Sequence, residues 1–429
     1  MRILWVCNIM LPAIAKHLNM DYSVREGWLT GTLSRMIEES KTKTPEMKLG
    51  ICFPAGEEMR NWQEEIVFEQ FPVSCYGFFE NLNTPEIYDE GLEVRFREIM
   101  DDFKPDMIHI FGTEFPHALA AAKVFGKKER TLIGIQGVIS RCAEEYFADL
   151  PEYVVKRATF RDRLKKDSVI NQQEKFRLRG INENKALKLA GHITGRTDFD
   201  RTYSGTVCEG AVYHSMNETL RPQFYEGDWD EKTCCRHRIF FSQADYPLKG
   251  FHFMLEALPA IMEAFPDTEV VVAGNSLVSK KTYVDRIKRS SYGKYLLELI
   301  EKNKLQGKIR FTGSLSADQM KEQYLNCHTF VCASVLENSP NSLGEAMLLG
   351  VPVVASRVGG IPSMVEHGKD GLLFERGNSK ELAEHVISLW KDEDFCATIG
   401  KNGQKRARVT HDAKKNYERL IEIYHAIMR

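Results

Sequence analysis

The feature that most constrains the fold of this chain is the alternation of short apolar, β-type runs with longer helical patterns from end to end. This alternation is typical of βαβ units, in which helices cover a parallel sheet. In the first half the runs are 3–7, 48–53, 107–111, 132–135 and 192–194. In the second half they are 239–242, 269–273, 309–312, 329–333, 351–355 and 371–374. The sequence therefore predicts an α/β protein with two doubly wound sheets.

A polar stretch separates the two sets of runs. Residues 221–238 contain Pro222, Gly227 and four acidic residues, and they show no apolar periodicity. We therefore predict a first domain at 1–220, a linker at 221–235 and a second domain at 236–410. The last segment, 411–429, contains an amphipathic helical pattern with no strand after it, so it has to pack on a sheet that is already formed.

Charge and composition exclude several classes of protein. The 429 residues carry 58 Lys and Arg against 60 Asp and Glu, a net charge of −2, so no overall field favours nucleic acid. No apolar run approaches the ~20 residues of a membrane span, and we expect a soluble, cytoplasmic protein. The ten cysteines are scattered, without metal-ligand spacing, so we expect no metal and no cofactor.

One segment is strongly basic. Residues 156–188 contain eleven Lys and Arg against four acidic residues, a charge of +7, with apolar residues between them. This pattern fits a solvated helical face. It also fits a surface for anionic lipid headgroups at the inner membrane face, or for a phosphate-bearing acceptor.

Candidate site residues follow the strands, because open parallel sheets bind ligands at the carboxyl ends of their strands. The candidates of the first half are Glu114, Gln136 and Arg196, and those of the second half include Asn275, Gly313 and Glu337.

The window 331–355 is the most informative part of the chain. An apolar strand ends near Glu337, and a polar loop leads into a short helix whose amides at Asn341, Ser342 and Leu343 suit diphosphate oxygens. The carboxylates of Glu337 and Glu345 suit sugar hydroxyls instead, so the window predicts a nucleotide-sugar site. An alternative is that Ser342 and Glu345 form a capping box.

A second candidate is Lys249, in a turn between a strand and a helix. At the carboxyl edge of the second sheet its charge can neutralise a departing diphosphate, although an exposed surface lysine is an equally good interpretation.

These residues resemble the GT-B glycosyltransferases of glycosyltransferase family four, the group 1 transferases. The family's Glu-x7-Glu signature and the Ala-Met-x-x-Gly-x-Pro-Val-Val-Ala-Ser that follows stand at 337–356, and Val-Gly-Gly-Ile-Pro follows at 358–362. Its Lys-Gly pair stands at 249–250, and Phe-Thr-Gly at 311–313 matches the strand end beside the nucleotide base. The resemblance is strong over roughly residues 236–410 and weaker before them.

The resemblance implies two Rossmann-like domains that face each other across a cleft, with the C-terminal helix crossing back onto the first. It implies that Glu345 holds the ribose, Glu337 a hydroxyl of the donor sugar, and Lys249 the diphosphate. It also implies retention of anomeric configuration without a divalent metal, and a UDP- or GDP-linked donor.

Three departures from the family's pattern stand out. Gln243-Ala244 lies where relatives carry an arginine, and we predict that Arg196 substitutes for it. The usual glycine pair after the first strand is Glu26-Gly27, so only Gly27 can allow close backbone approach to the donor. Gln136 stands in place of a histidine and cannot act as a base.

The predicted function is transfer of a sugar from a nucleotide diphosphate sugar to a glycan or lipid-linked acceptor in surface polysaccharide biosynthesis. A catalytically silent subunit that binds nucleotide sugar or glycan is the main alternative, and a hydrolytic or epimerising enzyme of the same fold is another. A dinucleotide-dependent oxidoreductase lacks its Gly-x-Gly-x-x-Gly motif here. The Asp-x-Asp patterns at 198–200 and 228–230 lie outside strand ends, which disfavours a metal-dependent transferase.

Overall fold

The computed structural model describes residues 1–20, 27–41, 47–279 and 287–429. The chain forms two compact units. The first comprises Met1–Arg141, Lys175–Arg221 and His411–Arg429, and the second comprises Cys142–Glu174 and Pro222–Thr410.

The strands of the first unit form one sheet. They are β1 (Arg2–Val6), β2 (Lys48–Ala55), β3 (Gln63–Phe68), β4 (Phe71–Phe79), β5 (Met107–Phe111), β6 (Thr131–Gly134), β7 (His192–Gly195) and β8 (Val212–Ser215). Their order is β3-β4-β2-β1-β5-β6-β7-β8, and adjacent strands are parallel except for the antiparallel pair β3 and β4. Every apolar run predicted in the first half is a strand, and β3, β4 and β8 are additional.

The second unit has a six-stranded, fully parallel sheet. Its strands are β9 (Arg238–Phe241), β10 (Glu269–Val272), β11 (Ile309–Phe311), β12 (Thr329–Cys332), β13 (Val353–Ser356) and β14 (Leu372–Phe374). Their order is β11-β10-β9-β12-β13-β14. All six apolar runs predicted in the second half are strands, and their β-branched and aromatic side chains are largely buried. The α/β fold class is thereby confirmed.

Helices connect the strands of both sheets. Within the described residues they are, in chain order, α1 (Pro12–His17), α2 (Gly27–Ser40), α3 (Gly91–Phe103), α4 (Pro116–Phe125), α5 (Ile139–Glu144), α6 (Glu152–Lys156), α7 (Phe160–Lys165), α8 (Val169–Lys188), α9 (Asp198–Val207), α10 (Phe251–Ala264), α11 (Ser291–Lys302), α12 (Ala317–Asn326), α13 (Asn341–Leu348), α14 (Ile361–Met364), α15 (Ser379–Lys391), α16 (Glu393–Thr410) and α17 (Ala413–Met428). None of these helices is both long enough and apolar enough to span a membrane.

The last helix, α17, packs on the sheet of the first unit. The hydroxyl of Tyr424 accepts a hydrogen bond from Trp5 Nε1 (2.8 Å) and lies 2.8 Å from His109 Nδ1. Leu420, Ile423 and Ile427 are buried in the same apolar cluster as β1 and β2. The apolar face of the helix thus covers one face of the first sheet.

One stretch of the predicted first domain belongs to the second unit instead. Residues 142–174 pack there because Ala148 O accepts a hydrogen bond from His252 Nε2 (2.9 Å) and Arg376 pairs with Asp149 (2.8 Å). The buried Asp162 accepts a hydrogen bond from the main-chain N–H of Ser291 (2.9 Å). These partners lie more than a hundred residues away in sequence, so the local sequence pattern of 142–174 could not predict them.

The predicted linker is also part of the second unit. The main-chain N–H of Trp229 donates to Leu349 O (2.7 Å), and its indole N–H donates to Cys327 O (2.7 Å). This segment is therefore packed on the unit even though its sequence has no periodic pattern.

Candidate functional site

The carboxyl edge of the second sheet brings together two of the predicted residues. Lys249 ends the short turn after β9, and Glu337 lies in the loop after the neighbouring strand β12. Lys249 Nζ is 2.6 Å from Glu337 Oε1, which also accepts a hydrogen bond from Ser334 Oγ (2.8 Å). The side chains of Lys249 and Glu337 are 20% and 16% exposed, so the pair is reachable but not freely solvated.

Two glycines fix the backbone around this ion pair. Gly250 has φ +67° and Gly359 has φ +49°, a region that favours glycine. A Cβ on Gly250 would overlap Ala333 O, and a Cβ on Gly359 would overlap Glu337 O. The neighbouring Gly360 N–H donates to Glu337 O at 3.0 Å. The glycine loop after β13 therefore holds the backbone of Glu337 in place.

Lys249 is protonated at neutral pH. Burial lowers the pKa of its ammonium, but the Glu337 carboxylate and the Tyr246 side chain beside it raise that pKa, which lies well above the usual 10.5. The cation is lost only as the pH rises through this raised value. Lys249 therefore offers a full positive charge at neutral pH, where a diphosphate would need it.

Helix α13 begins beside this edge, and its first turn differs from the capping-box interpretation. Pro340 is the N-cap and makes no side-chain cap, so Ser342 and Glu345 both lie within the helix. Glu345 is buried at 3% exposure. The N–H of Leu343 donates to Pro340 O (3.0 Å). Of the three predicted phosphate-binding amides, that of Leu343 is therefore already used inside the turn, and those of Asn341 and Ser342 are better placed for a ligand.

The remaining predicted donor residues are divided between the two units. Gly313 and Gly274 exchange two backbone hydrogen bonds of 3.1 and 2.9 Å beyond β10 and β11, and Asn275 follows them as an exposed residue. These positions are at the same carboxyl edge as Lys249. Gly27 is the first residue of α2 in the first unit, and its neighbour Glu26 lies outside the described residues.

The first unit places Arg196 and Gln136 together, but in a different role from the predicted one. Arg196 Nη1 is 2.6 Å from Glu218 Oε1, and the two side chains are only 7% and 3% exposed. Arg196 Nη2 also donates to Gln136 Oε1 at 3.3 Å. Pulling the guanidinium away would leave a buried carboxylate unpaired, which is strongly destabilising. This pairing argues against Arg196 as a substitute phosphate ligand.

Glu114, the third candidate of the first unit, is held through both its side chain and its main chain. Its Oε1 accepts a hydrogen bond from Gly137 N–H (2.8 Å), and its carbonyl oxygen accepts two from Arg179, at 3.1 and 3.0 Å. The carboxylate is therefore fixed at the carboxyl edge of the first sheet.

Within the described residues, three side chains of types that bind metals lie close together. Glu231, His328 and Cys396 place possible ligand atoms within 4.8 Å of one another. However, His328 Nδ1 accepts a hydrogen bond from the main-chain N–H of His237 (3.2 Å), so Nε2 carries the ring proton and has no lone pair for a metal. Burial also raises the pKa of the Cys396 thiol. The donor set therefore does not favour metal binding.

Sequence reasoning missed Ser334 and did not assign a role to the glycine pair at 359–360. Ser334 lies two residues beyond β12, and this position after a strand end is the signal that could have identified it. A glycine pair directly after a strand signals close backbone approach, but the sequence alone could not show that Glu337 is what it approaches.

Solved structures with this arrangement of sheets define the class. The chain has the GT-B fold, because it matches such structures over nearly its full length. Anabaena HepE in complex with UDP and glucose gives a TM-score of 0.64 at 17% identity, with 99% of this chain and 100% of that chain covered. Sucrose-phosphate synthase from Thermosynechococcus elongatus gives a TM-score of 0.63 at 14% identity, with 99% and 98% covered.

Residues 236–406 match the family model of glycosyl transferases group 1. Spore coat protein SA of Bacillus subtilis is 28% identical over 179 residues, which are 41% of this chain and 45% of that protein. N-acetyl-alpha-D-glucosaminyl L-malate synthase of Bacillus anthracis is 28% identical over 31% of this chain and 35% of that protein. The capsular polysaccharide biosynthesis glycosyltransferase CapM of Staphylococcus aureus is 33% identical over 25% and 28%. The matches span less than half the length of these three relatives.

Proposed function

We propose that this protein is a retaining, metal-independent glycosyltransferase. It moves a sugar from a UDP- or GDP-linked donor to a glycan or lipid-linked acceptor in surface polysaccharide biosynthesis, on the cytoplasmic side of a membrane. The observation that carries the proposal is the Lys249–Glu337 pair beside the N-terminus of α13. Support also comes from the relatives, since one solved neighbour holds UDP and glucose and CapM is named for capsular polysaccharide.

The chemistry assigned to each group follows from its charge. Breaking the bond between sugar and diphosphate leaves negative charge on the phosphate oxygens, and Lys249 with the amides of Asn341 and Ser342 stabilises it. Carboxylates would repel phosphate, so Glu337 binds a hydroxyl of the donor sugar and Glu345 the ribose hydroxyls. The lysine supplies the positive charge that a divalent cation supplies in other transferases.

Thermal stabilisation by nucleotides tests the donor site. We expect UDP or GDP to raise the Tm of the full chain equally with magnesium and with EDTA, because a ligand that binds the folded state stabilises it by mass action. At a nucleotide concentration a hundredfold above Kd the stabilisation is about 2.7 kcal/mol. Glu345→Ala should lose most of the shift, and the matched control Glu384→Ala, an exposed residue of α15, should keep it.

Two results would contradict the proposal. A shift that requires magnesium would refute metal independence. No shift with any nucleoside diphosphate would favour the silent-subunit alternative, for which the missing arginine at Gln243-Ala244 is the relevant observation.

A peripheral contact with anionic lipid is part of the proposal, and we place it on helix α7. Within the basic stretch 156–188, Arg157 and Arg161 are paired with acidic residues of the second unit. Helix α7 instead exposes apolar side chains, with Phe160 70% and Leu164 74% accessible. Its neighbours Arg163, Lys165 and Lys166 are exposed as well. An exposed apolar pair ringed by cations suits the interface of an anionic membrane.

Vesicle sedimentation tests this contact. We expect the protein to bind vesicles of phosphatidylglycerol and phosphatidylcholine at 50 mM salt and to be released at high salt, because screening weakens the basic residues. Phe160→Ser with Leu164→Ser should weaken binding at least about tenfold, since two buried apolar side chains are lost. Val409→Ser is the control, because Val409 is 68% exposed on α16. Equal binding by both variants would dismiss α7 as the contact.

A further inference from the structure

Four side chains form a hydrogen-bonded chain from the interior of the first unit to the carboxyl edge of its sheet. His117, fully buried on α4, has Nδ1 2.6 Å from Glu80 Oε2 and Nε2 3.0 Å from Asn8 Oδ1. Asn8 Nδ2 in turn donates to Glu114 Oε2 at 2.9 Å. Asn8 follows β1 and Glu114 follows the adjacent β5, so the chain ends where parallel sheets bind ligands.

The direction of these hydrogen bonds fixes where the protons lie. The amide of Asn8 has one oxygen and one NH2 group, and its oxygen faces His117, so Nε2 carries a proton. Nδ1 faces a carboxylate oxygen of Glu80, which accepts hydrogen bonds, so Nδ1 carries one too. The hydrogen bonds thus assign two protons to the ring, and the NH2 group of Asn8 faces the carboxylate of Glu114. With the amide reversed, the ring would be neutral and Glu114 would have to be protonated.

A carboxylate lies against the ring of His117 inside the unit. Glu80, 8% exposed, also accepts the main-chain N–H of His117 at 2.9 Å, so its carboxylate is fixed as a counter-ion. The ring otherwise packs against Phe78 and Phe115, with centroids 5.1 and 5.9 Å away. The doubly protonated ring and the Glu80 carboxylate form a neutral pair. Glu114 then carries the net negative charge of the four hydrogen-bonded side chains.

Glu114 is also fixed in position. Besides its bonds to Gly137 and Arg179, it lies so close to Gly112 that a Cβ there would overlap both Glu114 Oε2 and Asn8 Nδ2. A fixed, ionised carboxylate accepts hydrogen bonds from hydroxyl groups and repels phosphate. A hydroxyl-bearing group suits such a carboxylate better than a phosphate does.

We propose that Glu114 binds a hydroxyl of the sugar acceptor, and that Asn8 and His117 are positioning residues that keep its carboxylate ionised and oriented. The proposal rests on the proposed function, whose acceptor side it assigns to the first unit. Glu114 thus has a different role from Arg196, which pairs with Glu218 and donates a hydrogen bond to Gln136.

Ring NMR of the full chain tests the charge state without any substrate. In 15N-labelled protein at neutral pH we expect two ring N–H signals from His117, which are identified by their loss in His117→Gln. If His117 had only a structural role, a ring with a single N–H would be enough. A single ring N–H signal from His117 would place the second proton elsewhere and overturn the proposal.

Kinetics test the role of Glu114. With UDP-glucose as donor and n-octyl β-D-glucoside as acceptor probe, Glu114→Gln should raise the acceptor KM at least about tenfold, because a charge-assisted hydrogen bond is lost. The donor KM should change less than twofold, and the exposed control Glu90→Gln should change neither. A wild-type acceptor KM in Glu114→Gln would overturn the inference while leaving the proposed function intact. Failure of the wild-type chain to bind any nucleoside diphosphate would instead refute the proposed function, and the ring spectra would still report the charge state.

Discussion

Replacing Lys249 with Met should lower kcat/KM for sugar transfer by about 10²- to 10³-fold, the usual cost of removing one preorganised group that stabilises developing charge. The loss has two causes. The leaving diphosphate loses its cation, and Glu337, whose Oε1 is 2.6 Å from Lys249 Nζ, becomes an unpaired carboxylate that repels phosphate. We therefore also expect weaker donor binding, measured by calorimetry with the nucleoside diphosphate.

The double variant Lys249→Met with Glu337→Gln separates these causes. Removing the repelling carboxylate should restore part of the nucleotide affinity but not turnover, because the sugar then loses its hydroxyl ligand. Lys380→Met is the matched control, since Lys380 is 86% exposed on α15 of the same unit, and it should behave as wild type. Turnover and nucleotide affinity both at the wild-type level in Lys249→Met would refute the donor site as described.

The pH dependence of the reaction gives a further check on the same lysine. Because the pKa of Lys249 is raised above 10.5, its charge is complete at every pH below that value and is lost only above it. If activity falls as the pH rises from about 7 to 9, the titration of another group must be the cause.

Gly359→Ala should remove most transfer activity, by about a hundredfold or more, from a protein that still folds; misplacing a reacting group by about 1 Å has an effect of this size. A methyl group at this position would overlap Glu337 O and push the carboxylate away from Lys249. The left-handed backbone at φ +49° adds strain of about 1 kcal/mol. The measurement is kcat/KM together with the Tm of the variant.

Gly368→Ala provides the control for backbone strain alone. Gly368 has φ +76°, and an added Cβ there has open space within 4 Å. It should lower the Tm by a similar strain contribution while leaving kcat/KM unchanged. Equal losses of activity in both variants would show that strain, and not the contact with Glu337, is responsible.

The sequence allowed the second sheet to be predicted better than the first. Its strands are short and, except for the partly exposed edge strand β11, mostly apolar and buried, which is the pattern that parallel strands produce. In the first sheet, β3 was missed because it is an edge strand with charged, largely exposed residues at Gln63–Phe68. Strand β4 contains Pro72 and Gly77, which weaken a strand pattern.

In the candidate site, too, residues with a local sequence signal could be named, whereas those that depend on distant partners could not. The sequence indicates Glu337, Glu345 and Lys249 as candidates because each lies beside the end of its own strand or in the helix that follows, and their roles stay predictions. The role predicted for Arg196 was not supported, since its partner Glu218 lies 22 residues away and beyond the next strand.

The sequence by itself determined the fold class, the strands of the second sheet, most strands of the first, and the candidate site residues that follow them. These depend on local periodicity and on loops that follow their own strands. Only the tertiary structure decided that residues 142–174 join the second unit, that Gly359 supports Glu337, and that His117 links Glu80 to Asn8. In each case the partners are distant in sequence, as with His117 and Asn8, 109 residues apart. Hydrogen bonds and steric contacts act over a few ångströms, so only the folded chain brings such partners together.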